Sequence, residues 1–249
     1  MSDGLPKVSK SQRLWLTHWN AWARYHRYEV HNIETLYTGE PMLIVGYHGR
    51  PLAYDMCMLT AKLHERLGYL PHGIVHKSIT RVPKMGRFVE SLGFVSADGD
   101  ALEQAVARRE HIVTTPGGAD EGMRSVFENY RVDWGTHRGY IRLALRLGLR
   151  IVPVAAAGAD STYIGLTNGR RMAGRLGLNR KWSWATWGGL GPLGPYPFSP
   201  PFPVKLTQLI GPPIATDGVA AHDRAAIEGL HDRVTYAVQR LLERARAMN

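Results

Sequence analysis

From residue 42 onward, short apolar runs alternate with longer segments that carry apolar residues at helical spacing. The short runs predict β-strands at residues 42–47, 73–76, 94–97, 112–115, 151–156 and 204–210. The longer segments predict helices at residues 54–66, 84–91, 100–108, 136–147 and 220–247. Strands that alternate with helices in this way predict a single α/β domain, with a mainly parallel or mixed sheet flanked by helices.

The N-terminal part differs, because an aromatic and basic helix at residues 11–30 precedes the first predicted strand. Three tryptophans follow helical spacing there, with arginines interspersed: Trp15, Trp19 and Trp22. Such an amphipathic aromatic helix is typical of a membrane interface, but it could equally pack across the main domain. We therefore divide the chain into an N-terminal segment at residues 1–40 and an α/β domain at residues 41–249.

Residues 161–203 interrupt the alternation of strands and helices. This insert is rich in glycine and proline, and five cations precede its three tryptophans: Arg170, Arg171, Arg175, Arg180, Lys181, Trp182, Trp184 and Trp187. Cations followed by aromatic residues are typical of a loop at a membrane interface. The glycines from Gly189 to Gly194 match a dinucleotide-binding pattern. We reject that interpretation, because no predicted strand precedes them and prolines would break the helix that must follow.

Composition and charge narrow the possible partners. The formal net charge of +10 predicts an anionic partner such as a membrane surface, a phosphorylated substrate or nucleic acid. We expect neither a transmembrane helix nor a signal peptide, and the single Cys57 fits a reducing compartment. Four arginines recur every four residues, which predicts either a solvated helix face or one that meets phosphates or a membrane: Arg138, Arg142, Arg146 and Arg150.

The first candidate for chemistry lies at the end of the predicted strand at residues 42–47. His48 follows this strand directly, and Asp55 lies in the first turn of the helix predicted after it. A carboxylate beside an imidazole fixes the tautomer of the ring, and the other ring nitrogen can then accept a proton from an attacking hydroxyl. The pair predicts general-base catalysis at the carboxyl edge of the sheet, where the sites of α/β proteins usually lie.

Three further blocks follow in order. They are His76-Lys77 with the segment 83–87, then Thr115-Pro116-Gly117-Gly118-Ala119-Asp120-Glu121-Gly122-Met123-Arg124, then Ile151-Val152-Pro153-Val154. Together with His48 and Asp55, they resemble the motifs of the glycerolipid acyltransferase superfamily, the lysophosphatidate-type, PlsC-like proteins, over roughly residues 40–215. Two departures stand out. Six residues separate His48 from Asp55 where four are usual, and Pro-Gly-Gly replaces the usual Phe-Pro-Glu, which resembles a subgroup that includes enzymes for neutral or unusual acceptors.

The resemblance implies how these residues would act. His48 would be the general base, and Asp55 would orient its ring and stabilise the imidazolium. The acceptor hydroxyl would attack an acyl thioester directly, without a covalent acyl-enzyme. Gly117 and Gly118 would turn the chain tightly and offer free backbone amides to an oxyanion or a phosphate.

The remaining candidates are charged. Lys77 and Arg124 would hold an anionic group of the donor or acceptor, Glu121 would pair with a cation such as Arg124, and Arg138 is a further phosphate candidate. The implied donor is acyl-CoA or acyl carrier protein. The implied acceptor is lysophosphatidate or another lysophospholipid, with diacylglycerol or a long-chain alcohol as the alternative. We expect no metal or redox cofactor, and a peripheral location on the cytoplasmic face of a membrane.

Other functional classes explain less of the sequence. A nucleic-acid binder would account for the charge and the aromatic residues, but not for the ordered blocks. A serine hydrolase is disfavoured because no Gly-x-Ser-x-Gly occurs, and a zinc hydrolase because no His-Glu-x-x-His occurs. A lipid-binding protein of the same fold without catalysis stays an alternative.

Overall fold

A mixed β-sheet forms the centre of the fold in this computed structural model, which describes residues 8–51, 53–75, 83–97, 100–179 and 182–249. The strands are β1 (Glu29–His31), β2 (Met42–Gly46), β3 (His72–Gly73), β4 (Ile112–Thr114), β5 (Arg150–Ala157), β6 (Ile164–Gly165), β7 (Gly189–Gly191), β8 (Gly194–Pro195) and β9 (Thr207–Ile210). The α-helices are α1 (Lys10–Tyr25), α2 (Tyr54–Leu67), α3 (Pro83–Ser91), α4 (Asp100–Ala107), α5 (Gly118–Gly122), α6 (Gly139–Leu147), α7 (Gly169–Arg175), α8 (Ser183–Thr186) and α9 (Arg224–Met248). Short 3-10 helices lie at Ile33–Leu36, Val126–Glu128 and Ala159–Thr162.

The main sheet has the strand order β1-β9-β5-β2-β4-β3. Strand β2 runs parallel to both of its neighbours, so that Ile44 pairs with Val113 on one side and Val152 on the other. Strands β5 and β9 are antiparallel, which makes the sheet mixed. The predicted α/β class is therefore confirmed. Because β2 lies inside the sheet, its carboxyl end places the next residues at the middle of the sheet edge.

Apolar layers on both faces of the sheet explain why β2 is a continuous hydrophobic run. All five residues of β2 are buried. Alternate side chains point to opposite faces, as the pleat requires. Leu43 and Val45 pack with Ile141 of α6 and with apolar residues of α9, whereas Ile44 packs with Leu59 and other residues of α2.

Helix α1 packs on the domain, which is one of the two alternatives open from the sequence. Trp19 is buried against Met58 and Ala61 of α2. The ring of Trp15 meets Trp19 edge-on with the centroids 5.5 Å apart, and the Trp15 indole N–H donates to Thr60. The tryptophans that suggested a lipid contact thus face protein.

Two strand predictions need correction. Strand β1 was not expected, because Glu29–His31 holds one apolar residue between two polar ones; it pairs with β9 and so joins part of the N-terminal segment to the main sheet. The strand expected at residues 94–97 is reduced to one bridge between Ile74 and Val95. The end of the strand expected at residues 73–76 lies outside the described residues.

The insert has its own order. Strands β6, β7 and β8 form a small antiparallel sheet, and helices α7 and α8 pack against each other beside it. Trp187 is the core of this unit, since it is buried and the rings of Tyr163 and Tyr196 meet it edge-on. Trp182 and Trp184 are exposed. None of the helices in the described ranges combines the length and the hydropathy needed to span a bilayer.

Candidate active site

His48 lies two residues beyond β2, and its backbone is held from both sides by the third sequence block. Its N–H donates to Glu121 Oε2 at 2.9 Å, and its carbonyl accepts from Arg124 Nη2 at 3.3 Å. Glu121 lies in α5 and Arg124 follows it closely. The segment that begins with Pro-Gly-Gly therefore holds the backbone of His48, the residue predicted to be the base.

The ring of His48 is held by a backbone carbonyl. Its Nδ1 lies 2.8 Å from the Gly49 carbonyl oxygen, which can only accept, so Nδ1 carries the proton and Nε2 keeps its lone pair. Burial lowers the pKa of His48 to about 4, and the charge of Arg124 adds to this effect. The imidazole is therefore neutral at neutral pH, and the lone pair of Nε2 is the one that can accept a proton.

Asp55 is buried in the first turn of α2, next to the His48 segment. A Cβ added to Gly49 would lie 3.2 Å from Asp55 Oδ1. The N–H of Ala53 donates to the Arg50 carbonyl at 3.1 Å, and this turn takes up the longer spacing between His48 and Asp55. Within the described ranges, no side chain donates a hydrogen bond to the carboxylate. The orienting contact that we predicted for Asp55 is thus made by the Gly49 carbonyl.

Burial raises the pKa of Asp55 to about 7. The charged form is disfavoured because the carboxylate has left water, and the nearby charges of Asp160 and Glu121 act in the same direction. A carboxyl group that titrates near neutral pH at the edge of a sheet is a feature of functional sites. Asp55 therefore remains a candidate catalytic residue that acts through its charge and not by orienting the His48 ring.

The buried side chain of Glu121 connects three segments of the chain. Its Oε2 accepts from the His48 N–H and from the Trp134 indole N–H at 3.1 Å, and its Oε1 accepts from the Asp133 N–H at 3.1 Å. The expected ion pair is present, with Arg124 Nη2 3.5 Å from Glu121 Oε1. Burial raises the pKa of Glu121 to about 7. A Cβ at Gly117 would lie 2.3 Å from Oε2, so the position of the Glu121 carboxylate requires glycine at residue 117.

Gly118 does not offer the free amide that we expected. Its φ is +52°, a conformation that favours glycine, and its N–H donates to the Thr115 carbonyl at 3.0 Å within the turn. The N–H of Gly117 has no hydrogen-bond partner in the part of the chain that the structure describes. Of the two predicted amides, that of Gly117 is the one without a partner among the described residues.

Arg124 does not extend toward a ligand, as we had expected, but into the protein. Its side chain is 4% exposed. It donates to the carbonyls of Glu121, Arg131 and His48 and to the Tyr47 hydroxyl, and its guanidinium lies 4.4 Å from the centre of the Tyr47 ring. These contacts occupy donors that an anion would need, so the geometry assigns Arg124 a positioning role.

Asp160 completes this network and was missed from the sequence. Its Oδ2 accepts from the Tyr47 hydroxyl and from the Tyr130 N–H at 2.6 Å. The buried Arg50 donates from Nε to the Asp160 carbonyl at 2.9 Å and from Nη1 to the Arg124 carbonyl at 2.6 Å. One signal could have found Asp160: it follows β5, the parallel neighbour of β2, and so belongs to the same edge of the sheet as His48.

A family model described as Acyltransferase matches residues 27–157, which is more than half of the chain. The chain belongs to this family. The matched span contains His48, Asp55 and the Pro-Gly-Gly block. The superfamily inferred from those residues is therefore confirmed.

Relatives of this acyltransferase carry names from lipid synthesis. The "DGAT1/2-independent enzyme synthesizing storage lipids" of Bos taurus is 26% identical over 245 residues, which are 97% of this chain and 65% of the bovine protein. The chain thus spans about two thirds of the length of the curated relatives that it matches from end to end. "Phytyl ester synthase 2, chloroplastic" of Arabidopsis thaliana is 27% identical over 137 residues, which are 53% of this chain and 20% of that protein.

The fold is also found among solved structures. The crystal structure of the 1-acyl-sn-glycerophosphate (LPA) acyltransferase, PlsC, from Thermotoga maritima superposes with a TM-score of 0.57 at 16% sequence identity. The match covers 94% of this chain and 79% of that one. At this identity the likeness supports the architecture of the acyltransferase and nothing finer.

Arg138, another predicted phosphate candidate, is occupied by contacts with other residues. Arg138 forms an ion pair with Glu228 of α9 at 2.6 Å and donates to the Gly135 carbonyl, so it connects α6 to α9. Lys77 lies outside the described residues. Arg142 and Arg146 are exposed on α6, whereas Arg150 begins β5, so the four arginines do not share one helix face.

A polar cleft of about 310 Å³ opens beside the network, away from His48 and Asp55. Its walls are Asp120, Glu128, Asp133, Asn168, Arg170 and Arg171. Arg170 pairs with Asp120 at 3.5 Å, and Arg171 pairs with Glu128 at 3.0 Å. The carboxylates and the arginines of this cleft largely neutralise each other, so the cleft gives no reason to place an anionic group there.

Gly122 gives a direct test of the ring position. A Cβ at Gly122 would lie 2.8 Å from His48 Nδ1 and 2.9 Å from Cε1, so Gly122→Ala must push the ring away from the Gly49 carbonyl. We expect kcat to fall about 10²-fold, since a displacement of about 1 Å has such an effect on a positioned base. Gly139→Ala is the matched control, because nothing lies within 4 Å of a Cβ there. Equal rates for both variants would show that the ring needs no such placement.

Proposed function

We propose that this acyltransferase transfers a fatty acyl group from an acyl thioester, acyl-CoA or acyl carrier protein, to the hydroxyl of a neutral lipid. The observation that carries the proposal is the state of His48. Its Nδ1 donates to the Gly49 carbonyl and its ring is neutral at physiological pH, so Nε2 is a base at the carboxyl edge of the sheet. A hydroxyl and a thioester are the reactants that such a base serves in this family.

The proposed steps balance without any further reactant. The acceptor hydroxyl gives its proton to His48 Nε2 while its oxygen attacks the thioester carbonyl carbon. The tetrahedral intermediate then breaks its carbon–sulfur bond, and the leaving thiolate takes the proton from the imidazolium. The charge of Asp55 favours the imidazolium, and the Gly117 N–H is the described amide that could donate to the oxyanion.

The contacts of Arg124 and Arg138 favour a neutral acceptor. Arg124 donates to protein acceptors and Arg138 is paired with Glu228, so neither offers an unoccupied guanidinium to a phosphate. The names of the relatives, one for storage lipids and one for phytyl esters, point in the same direction. We therefore propose diacylglycerol or a long-chain alcohol ahead of lysophosphatidate, which the sequence alone had favoured.

Radiolabelled acyl-CoA and acyl carrier protein, each offered with diacylglycerol, a long-chain alcohol, lysophosphatidate and lysophosphatidylcholine, test this proposal by lipid chromatography. We expect a neutral product at a rate at least about tenfold above that of phosphatidate, because neither Arg124 nor Arg138 has a guanidinium left for a phosphate. Formation of phosphatidate faster than the neutral products would overturn the proposed acceptor, but it would still support acyl transfer. Label recovered only as free fatty acid or unreacted donor, with every acceptor, would overturn acyl transfer itself.

A further inference from the structure

Exposed apolar side chains concentrate on and beside the insert. Fourteen large apolar side chains are exposed in the described part of the chain, and ten of them lie at positions 126–127 or 164–198. We call this set the insert face: Val126, Phe127, Ile164, Leu166, Leu176, Leu178, Trp182, Trp184, Leu193 and Phe198. Phe127 is the extreme case, with 92% of its surface exposed. Exposed apolar side chains that lie together mark interaction surfaces, and their concentration in this part of the chain makes the insert the candidate.

The charged residues of the same segment are all positive. Residues 161–216 contain no Asp or Glu, whereas five cations lie between positions 170 and 181. Arg170 and Arg171 are already paired to carboxylates of neighbouring segments, and Arg175 is exposed at the end of α7. Exposed aromatic and aliphatic side chains in a segment whose only charged residues are cations match a bilayer with anionic head groups, which offers both an apolar layer and negative charge.

The insert face is built on ordered structure. The rings of Trp182 and Trp184 stack with their centroids 6.2 Å apart, on a unit whose core is Trp187. Glu128, the residue after Phe127, accepts from the Asn168 side chain at 2.8 Å and pairs with Arg171. The turn that carries Phe127 is therefore attached to α7, so the two parts of the face are held together.

The insert is also attached to the network that holds His48. The Trp187 indole N–H donates to the Arg124 carbonyl at 3.0 Å, and the Arg50 guanidinium lies 5.6 Å from the centre of the Trp187 ring. A Cβ at Gly165 would lie 2.3 Å from the same carbonyl. A bilayer bound to the insert face would thus be fixed relative to the base.

We propose that the insert face docks this enzyme on the surface of an anionic phospholipid bilayer, and that the acceptor lipid enters the site from that bilayer. The second part rests on the proposed function, and the first does not. Helix α1, the other membrane candidate, packs its tryptophans inward and leaves only Leu14 and Tyr25 exposed among its large apolar residues.

Sedimentation with vesicles tests the docking surface. The test variant is Phe127→Ser/Trp182→Ser/Trp184→Ser in the full chain. The control is Leu14→Ser/Tyr236→Ser/Met248→Ser, which removes three exposed apolar residues elsewhere. With vesicles of phosphatidylglycerol and phosphatidylcholine, we expect the partition coefficient to fall at least about tenfold for the test variant and less than about twofold for the control. Circular dichroism checks that both variants are folded.

The salt concentration and the charge of the vesicles provide a second test of the docking surface. The parent should bind pure phosphatidylcholine vesicles more weakly, and a rise from about 0.1 M to about 0.5 M NaCl should weaken its binding to anionic vesicles. Parent-like binding of the test variant, an equal loss for the control, or indifference to both salt and phosphatidylglycerol would each overturn the proposal.

Activity separates this inference from the proposed function. With short-chain, water-soluble donor and acceptor, the test variant should turn over within about twofold of the parent, because a dissolved substrate needs no bilayer. A parent that binds vesicles through the insert face but transfers no acyl group would overturn the proposed function and leave the docking surface in place. A test variant that loses soluble turnover as well would overturn the assignment of these residues to docking.

Discussion

His48→Ala should lower kcat of acyl transfer at least about 10³-fold and leave the free energy of unfolding within about 1 kcal/mol of the parent. The ring is the proton acceptor, whereas its only side-chain hydrogen bond in the described part of the chain is to the adjacent Gly49 carbonyl. The contacts that hold this segment are made by the His48 backbone and survive the substitution. Radiolabelled product formation and urea unfolding measure the two quantities.

His222→Ala is the matched control for His48→Ala, because His222 is an exposed histidine before α9 and should leave kcat unchanged. A His48→Ala turnover within tenfold of the parent would remove the base from the mechanism. The pH profile gives a second readout. We expect kcat/KM to fall as the pH drops through about 7, where Asp55 and Glu121 gain their protons, and again near pH 4, where His48 does. Asp55→Asn should remove the contribution of Asp55 to the first step and leave the second step in place.

Arg124→Met should destabilise the fold by about 3–5 kcal/mol, because it leaves Glu121 and Asp160 buried without the cation between them. Urea unfolding at pH 8 measures this loss. The soluble fraction that remains should show a lower kcat with KM for the acceptor nearly unchanged, since Arg124 holds the His48 carbonyl and not the substrate. Arg124→Lys keeps the charge without the planar fork, and should recover part of the stability.

Arg138→Met provides the contrast, since both arginines were phosphate candidates. The Arg138–Glu228 pair is partly exposed, so its loss should lower the free energy of unfolding by only about 0–1 kcal/mol. A phosphate-binding role for Arg124 would give the opposite pattern, in which stability is preserved and KM for lysophosphatidate rises several-fold. That pattern would restore Arg124 to the substrate site.

The sequence determined the architecture and the position of the base through local patterns. The apolar run of β2 and the periodic segments of α2 and α9 are readable because burial imposes a period of two or of about 3.6 residues on a short stretch. The predicted bounds of α2 and of β2 agree with the structure to within a residue. His48 was found because it follows a buried strand, and the order of the four blocks was enough to identify the family.

Only the tertiary structure decided what each charged residue contacts. Arg124 and Arg138 look alike in the sequence, yet the first is buried among carbonyls of distant segments and the second is paired at the surface of α9. The tryptophans of α1 and of the insert look alike too, but those of α1 pack on α2, and Trp187 is buried while Trp182 and Trp184 are not. The reason is physical. Helix and strand periods depend on neighbours in the chain, whereas the partner of a guanidinium or an indole depends on segments that meet only when the sheet has assembled.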